Sequence, residues 1–225
     1  MKHAIEFTHH NHPFLHVGSR KKSTHSFFIV VEKGAVLVRL GKNEHLVSAG
    51  TGFWLPFDCL HALTTLPGTN YYQVDFSIRL TTAVCSHAGF FKVTPLIAAL
   101  LNELSQTASE QHQWDGPEGR ILKVLADKAA QLKVSTKTLS PVLAERHHPA
   151  LTLILNGSKI TENSDIKAIE SVFNQSVKEL ESCMVMREAI RLQRSGRKPA
   201  QIATELSVPE TLLNTLALPI LGKPL

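Results

Sequence analysis

Apolar side chains follow two different periods along this chain, and that switch constrains the fold more than any other feature. From Ser26 to Ile78 they fall in short runs rich in Phe, Val, Leu and Tyr. Turn residues at Lys33-Gly34, Gly41-Lys42-Asn43, Ala49-Gly50-Thr51-Gly52 and Pro67-Gly68-Thr69-Asn70 cut the runs apart. Short apolar runs between such signals read as strands of an antiparallel meander. The spacing predicts strands near 26–32, 35–40, 44–48, 52–55, 61–66 and 71–78. That set suits a small barrel or jelly roll, whose closure hides the strand edges.

Past about residue 90 the period lengthens. Thr94-Pro95 opens a predicted helix over 95–106, where Leu96, Ile97, Leu100, Leu101 and Leu104 recur at helical spacing. Gly116-Pro117 opens a second, with Ile121, Leu122, Leu125, Ala129 and Leu132 on one face. The polar stretch from Gln106 to Gln113 reads as a loop between them, and Ser135 to Pro149 as a linker. Leu96, Leu100 and Leu104 share a stripe that Ile97 and Leu101 widen, more apolar surface than one barrel flank needs. Helix 95–106 is therefore expected to join two copies as a homodimer.

After residue 149 the pattern is helical and short-looped, with two helix-turn-helix units. The first has a helix at Asp165 to Phe173, a turn at Asn174-Gln175, and a long helix opened by the capping-box spacing Ser176-Val177-Lys178-Glu179. The second places Ile202, Ala203 and Leu206 on one helix after Pro199, and Leu212, Leu213, Leu216 and Ile220 on another after Pro209. Ala203 is small enough for the close crossing such a pair needs. Nine basic and eight acidic residues from 151 to 225 leave little net charge there, but Arg187, Arg191 and Arg194 recur on one helix and Arg197-Lys198 follow. Such a stripe is either phosphate-facing or merely solvated.

Charge and composition add limits rather than a function. A net charge of +5 permits a polyanionic partner without requiring one. No apolar run approaches the roughly 18 residues of a membrane span, and no signal-peptide stretch follows Met1, so a cytoplasmic protein without membrane contact is expected. Cys59, Cys85 and Cys183 are odd in number and far apart, which reads as buried thiols. The twelve histidines include the cluster His9, His10, His12 and His16, for which surface positions are the ordinary explanation. Neither a Ser/His/Asp arrangement nor a phosphate-cradling Gly loop is discernible.

The order of these parts, a β-barrel, two linking helices and tandem helical pairs, resembles an AraC/XylS-type transcriptional regulator with a cupin-like N-terminal domain. Gly50, Pro56 and His61 resemble the second cupin motif, with Asp58 where the motif usually has Gly. Arg187 to Arg194, Ser195-Gly196-Arg197, Gln201 to Leu206 and Leu221 to Pro224 resemble the family's last helical unit, with Ser207-Val208 where Gly and an aromatic are common. The unit is short and lacks the family's late basic residues, having Ala217-Leu218-Pro219 there.

The resemblance implies an α+β fold: a cupin-like antiparallel barrel or jelly roll sensor over 1–90, connecting helices and linker over 91–148, and a reduced all-α domain with tandem helix-turn-helix units over 149–225. It implies DNA and a small-molecule effector as partners. DNA-contacting residues are then expected at Gln175, Ser176, Lys178, Arg191, Arg194, Arg197, Lys198, Thr211 and Asn214, and pocket walls at Phe27, Phe53, Trp54, His61 and Tyr72. The cupin metal ligands other than His61 would fall on Arg20 to Ser23 and near Phe27, so no metal, cofactor or catalytic residue is expected. Two alternatives stay open: a protein that pairs with another regulator without reading DNA, and a cupin enzyme.

Overall fold

The structure, a computed structural model, describes residues 3–106 and 114–225. The loop expected from Gln106 to Gln113 falls, apart from Gln106, outside these residues. Among the described residues ten strands precede seven α-helices. They are β1 (Ile5–His12), β2 (His16–Val17), β3 (Lys21–Lys22), β4 (Ser26–Lys33), β5 (Ala35–Leu40), β6 (Asn43–Ser48), β7 (Gly52–Leu55), β8 (Leu60–Thr65), β9 (Thr69–Phe76) and β10 (Gly89–Phe91). The helices are α1 (Pro95–Gln106), α2 (Pro117–Ala130), α3 (His148–Leu155), α4 (Asn163–Phe173), α5 (Val177–Arg194), α6 (Pro199–Glu205) and α7 (Glu210–Leu221).

The strands pair antiparallel in two sheets, ordered β1-β9-β4-β7-β10 and β2-β8-β5-β6, with β3 also on β8. Alternation sends every second side chain between the sheets and the others outward. Ile29, Val36, Val38, Val47, Phe53 and Leu55 fill the interior, completely buried. On the outer face of the first sheet, Phe28, Trp54, Val74 and Phe76 pack against Ile97, Leu101 and Leu104 of α1 and Leu122 and Leu125 of α2. On the outer face of the second, Val17, Leu37, Leu46 and Leu66 share one core with Leu151 and Ile154 of α3 and with Leu180, Met186 and Ile190 of α5. The result is an α+β stack of helices, sheet, sheet and helices.

All six expected strands are present within a few residues of their predicted bounds, and α1 has the predicted ones. Four strands were not foreseen: β1, β2, β3 and β10. The sequence of β1, Ile-Glu-Phe-Thr-His-His-Asn-His, is mostly polar, and only Ile5 and Phe7 mark its buried face. Pairing along its whole length with β9, from Ile5 opposite Phe76 to His12 opposite Thr69, supplies what the local pattern lacks.

The segment expected as a linker is docked rather than free. Ser135 exchanges backbone hydrogen bonds with Phe90, and the Leu46 amide donates to the Leu139 carbonyl at 2.7 Å. Ser140 and Leu143 are buried, and α3 begins at His148, inside the expected linker. The backbone groups of an extended segment need partners, and the barrel provides them.

In α1 the buried residues are Ile97, Leu101 and Leu104, whereas Leu96 is 46% exposed. The apolar side of this helix is therefore occupied by the first sheet and α2, and the stripe read from the sequence is divided. Of the stripe, Leu96 remains toward solvent, and the half-buried Leu100 packs in part on the same core.

Candidate functional site

Polar side chains line the inner face of the first sheet along its edge strand β1 and the neighbouring β9. Alternation puts Tyr71, Gln73 and Asp75 of β9 inward, and the register sets His10 opposite Tyr71. Asp75 is buried. Its Oδ1 accepts from Gln73 Nε2 at 2.7 Å and lies 2.8 Å from His25 Nε2. The His10 ring stacks on Tyr71 at 4.6 Å, and His12 and His16 follow with centroids 5.3 Å apart. At the other end Phe27 meets the edge of His61 at 5.5 Å.

Protonation follows from these surroundings. Burial is the first cause holding His10, His12, His16 and His61 below the usual histidine range; neighbouring histidines add to it for His10, His12 and His61, and Arg194 adds to it for His16. Neutral imidazoles are the result at neutral pH. His61 Nδ1 is 2.9 Å from the Cys59 carbonyl, which can only accept, so Nδ1 carries the proton and Nε2 offers a lone pair. Burial, with Asp75 nearby, pushes the Tyr71 hydroxyl up to about 12, so it stays protonated. The site thus combines hydrogen-bonding groups of both senses, aromatic faces and one carboxylate. That arrangement can hold and orient a polar molecule.

The expected pocket residues divide between two faces. Phe27, Phe53 and His61 point between the sheets, Phe53 as part of the apolar floor. Trp54 and Tyr72 point outward into the core under α1 and α2. Trp54 Nε1 donates to the Cys85 carbonyl at 2.8 Å, and the Tyr72 hydroxyl to Glu32 at 3.0 Å. Adjacent residues on a strand face opposite ways, so Phe53 and Trp54 could not both line one pocket. His9 likewise leaves the histidine cluster and lies 3.2 Å from Glu32. Asp75, Gln73, Tyr71 and His25 were missed as pocket residues, although the alternation Tyr71, Gln73, Asp75 was a readable sign of a polar inner face. Among the described residues no three His, Cys, Asp or Glu side chains are grouped to hold a metal ion.

Asp58 adopts φ 60, in the left-handed region, where the cupin-like motif usually has Gly. Asp tolerates that region better than most residues, and Lys22 Nζ pairs with its carboxylate at 3.0 Å.

The expected DNA-contacting residues also divide. Gln175 Nε2 donates to the Pro67 carbonyl at 3.2 Å and Arg194 Nη2 to the Val17 carbonyl at 2.6 Å, so both side chains turn to the barrel. Ser176 caps α5, its hydroxyl accepting from the Glu179 amide. Arg191 pairs with Glu188 and Arg197 with Glu205, while Lys178 and Lys198 are exposed. Arg187 and Arg194 reach the barrel at Glu44 and Val17, whereas Arg191 between them pairs with Glu188 of the same helix.

Helices α6 and α7 form a tight pair. Ala203 is buried at their crossing, and the Val208 amide donates to its carbonyl at 3.0 Å. Ser207 takes φ 54 in the turn, a conformation that favours Gly. Thr211 and Asn214 are exposed on the first turns of α7. At the far end of α7, the Leu15 amide donates to the Ile220 carbonyl at 2.8 Å. Phe14 covers Gly222, where an added Cβ would come within 2.5 Å of its ring.

A model of the AraC-like ligand binding domain matches residues 3–121. Among solved structures, an apo form of a ToxT variant from Vibrio cholerae is 10% identical, with coverage of 99% of this chain and 95% of that one at a TM-score of 0.43. The AraC-like transcriptional activator CuxR is 12% identical, with coverage of 95% and 70% at 0.45. A cupin superfamily protein from Desulfitobacterium hafniense DCB-2 is 8% identical, with coverage of 33% and 68% at 0.31. A search of curated proteins finds no match. Because the family model spans more than half of the 225 residues and falls on the barrel, its histidine-lined mouth, helix α1 and the first turn of α2, the chain belongs to the AraC-like ligand binding domain family.

Proposed function

We propose that the chain is a transcriptional regulator in which a small polar effector enters the barrel mouth and the α6–α7 pair meets DNA. The observation that carries this reading is the junction at Pro13 to Leu15. That segment joins the His10 and His12 end of β1 to His16, and it is tied to the end of α7 by the Leu15 hydrogen bond to Ile220 and by Phe14 packed against Gly222. An effector that reorders the mouth histidines therefore acts directly on the helix expected to enter the groove.

In this reading residues 1–90 form the sensor, 91–148 the connecting helices and 149–225 the DNA-facing unit of a cytoplasmic regulator. Two copies pair through the solvent side of α1 at Leu96 and Leu100. Thr211 and Asn214 contact bases, and Lys178, Arg197 and Lys198 contact phosphates. Fluorescence anisotropy with duplex DNA at two salt concentrations tests it. Lys198→Ala is expected to weaken binding to all duplexes and lower the salt slope by about one, whereas Asn214→Ala costs about 1–3 kcal/mol at one base position. Wild-type protein without salt-dependent binding to any duplex at micromolar concentration would remove the DNA reading.

One observation favours a second reading. Helix α7 contains no Lys or Arg, and its Leu212 and Leu218 are 40% and 64% exposed. Those features suit a protein partner on α7 rather than a phosphate backbone.

A further inference from the structure

Arginines converge where the barrel meets α5. A cavity of about 300 Å³ is lined by Arg20 and Arg39 from the barrel and by Arg187, Arg191 and Arg194 from α5, with Glu44 its one carboxylate. Arg187 is the anchored member: Nη1 donates to Glu44 Oε1 at 2.6 Å and Nη2 to the Leu155 carbonyl. Arg194 spends one nitrogen on Val17, and Arg191 pairs with Glu188 at its more exposed end. The side chains of Arg20 and Arg39 have no hydrogen bond or ion pair among the described residues. Five guanidinium groups around one carboxylate repel one another unless an anion enters, since like charges in a partly enclosed site are poorly screened.

We infer that this cleft binds a small organic phosphate and that its occupant clamps α5 to the barrel. The guanidinium fork matches phosphate oxygens in pairs, and several unpartnered N–H donors already face the space. A second cavity of about 510 Å³ shares Arg39, Glu44, Arg187 and Arg191 and adds Asn43, Thr152 and Asn156 together with Lys42, Glu188 and Glu205. It gives room and polar contacts for the organic body while the phosphate sits on the arginines. The walls come from both sides of the interface, so the occupant holds the two together. This site is separate from the barrel mouth, and its existence does not depend on the DNA reading. A DNA backbone carries the same phosphate chemistry, but a duplex is too wide to enter a half-open cleft of this size.

Calorimetric titration of the full chain with ribose 5-phosphate and with inorganic pyrophosphate, at constant ionic strength and with ribose as control, tests the inference. Saturable binding of at least one phosphate probe, with none of ribose, is expected. The double variant Arg20→Gln/Arg39→Gln removes two cations without breaking a bond within the fold, and should weaken binding about tenfold or more. If the double variant does not fold, Arg20→Gln alone, at an exposed side chain, carries the same test with a smaller loss. Glu44→Gln should instead tighten binding by removing the competing carboxylate. No saturable binding at millimolar probe, or binding unchanged in the arginine variants, overturns the proposal. So does a short duplex that competes with the probe for these same arginines, which would assign them to DNA.

Discussion

The outer faces of the two sheets are both covered by helices, but the covers differ in kind. Over the first sheet, Ile97, Leu101, Leu104, Leu122 and Leu125 make an apolar lid on Phe28, Trp54, Val74 and Phe76. Over the second, an apolar centre at Leu37, Leu46, Leu151 and Ile154 is rimmed by the buried Arg187–Glu44 pair, by the Gln175 and Arg194 bonds to barrel carbonyls, and by cavities. A continuous apolar contact has one good packing, whereas a polar contact beside cavities leaves space that an occupant can fill. The first cover therefore serves permanence, and the second is the place where the molecule can respond.

The largest effect separating the two comes from a cavity in the first cover. Leu101 is fully buried, and Leu101→Ala should cost about 3 kcal/mol while lowering one cooperative transition. Urea unfolding followed by tryptophan fluorescence measures it, and a loss below about 1 kcal/mol would show a loosely packed lid.

Arg187→Met tests the second cover. It leaves Glu44 and the Leu155 carbonyl without their buried partner, and a loss of about 2–3 kcal/mol is expected, near the lower end for broken buried pairs because both side chains keep some exposure. Unlike the first variant, it should split unfolding into two steps, with the helical signal lost before the barrel signal. A single undivided transition would mean that the apolar centre alone holds the helices.

Acid probes the space between the sheets, and its effect should be the smallest near neutrality. His10, His12, His16, His45 and His61 all have values lowered by burial and all belong to the barrel. A histidine lowered by folding contributes stability that is complete above its unfolded value of about 6.5 and is lost as pH falls below that value. Thermal unfolding at about pH 7.5 and about pH 5.5 should show the barrel weakened at the lower pH. Equal stability at both would mean that the histidines are solvated in the folded state.

Much of the fold could be read because its signals are local. Thr94-Pro95, Gly116-Pro117, the Ser176 to Glu179 box and the Pro199 and Pro209 starts each mark a helix by the chemistry of a few neighbouring residues, and the turn glycines mark the strands in the same way. The candidate site was read less well. Phe27, Phe53 and His61 were placed inside the barrel, but Trp54 and Tyr72 were assigned to the same wall, since alternation shows that neighbours face apart without showing which faces in.

What the sequence by itself determined was therefore the kind and order of elements, an antiparallel barrel followed by helices, because backbone propensity and hydrophobic period act over a few residues. Only the tertiary structure decided which face each element presents. The polar strand β1 exists because β9 pairs with it, and the same pairing brings His10 to Tyr71. The arginine stripe of α5, equally suited on its own to DNA or to water, turns to the barrel because other faces of that helix pack on α3, α6 and α7, which carries Arg187 to Glu44, 143 positions away in the chain. No local rule contains that partner, because burial of the opposite helix face sets the direction of the stripe.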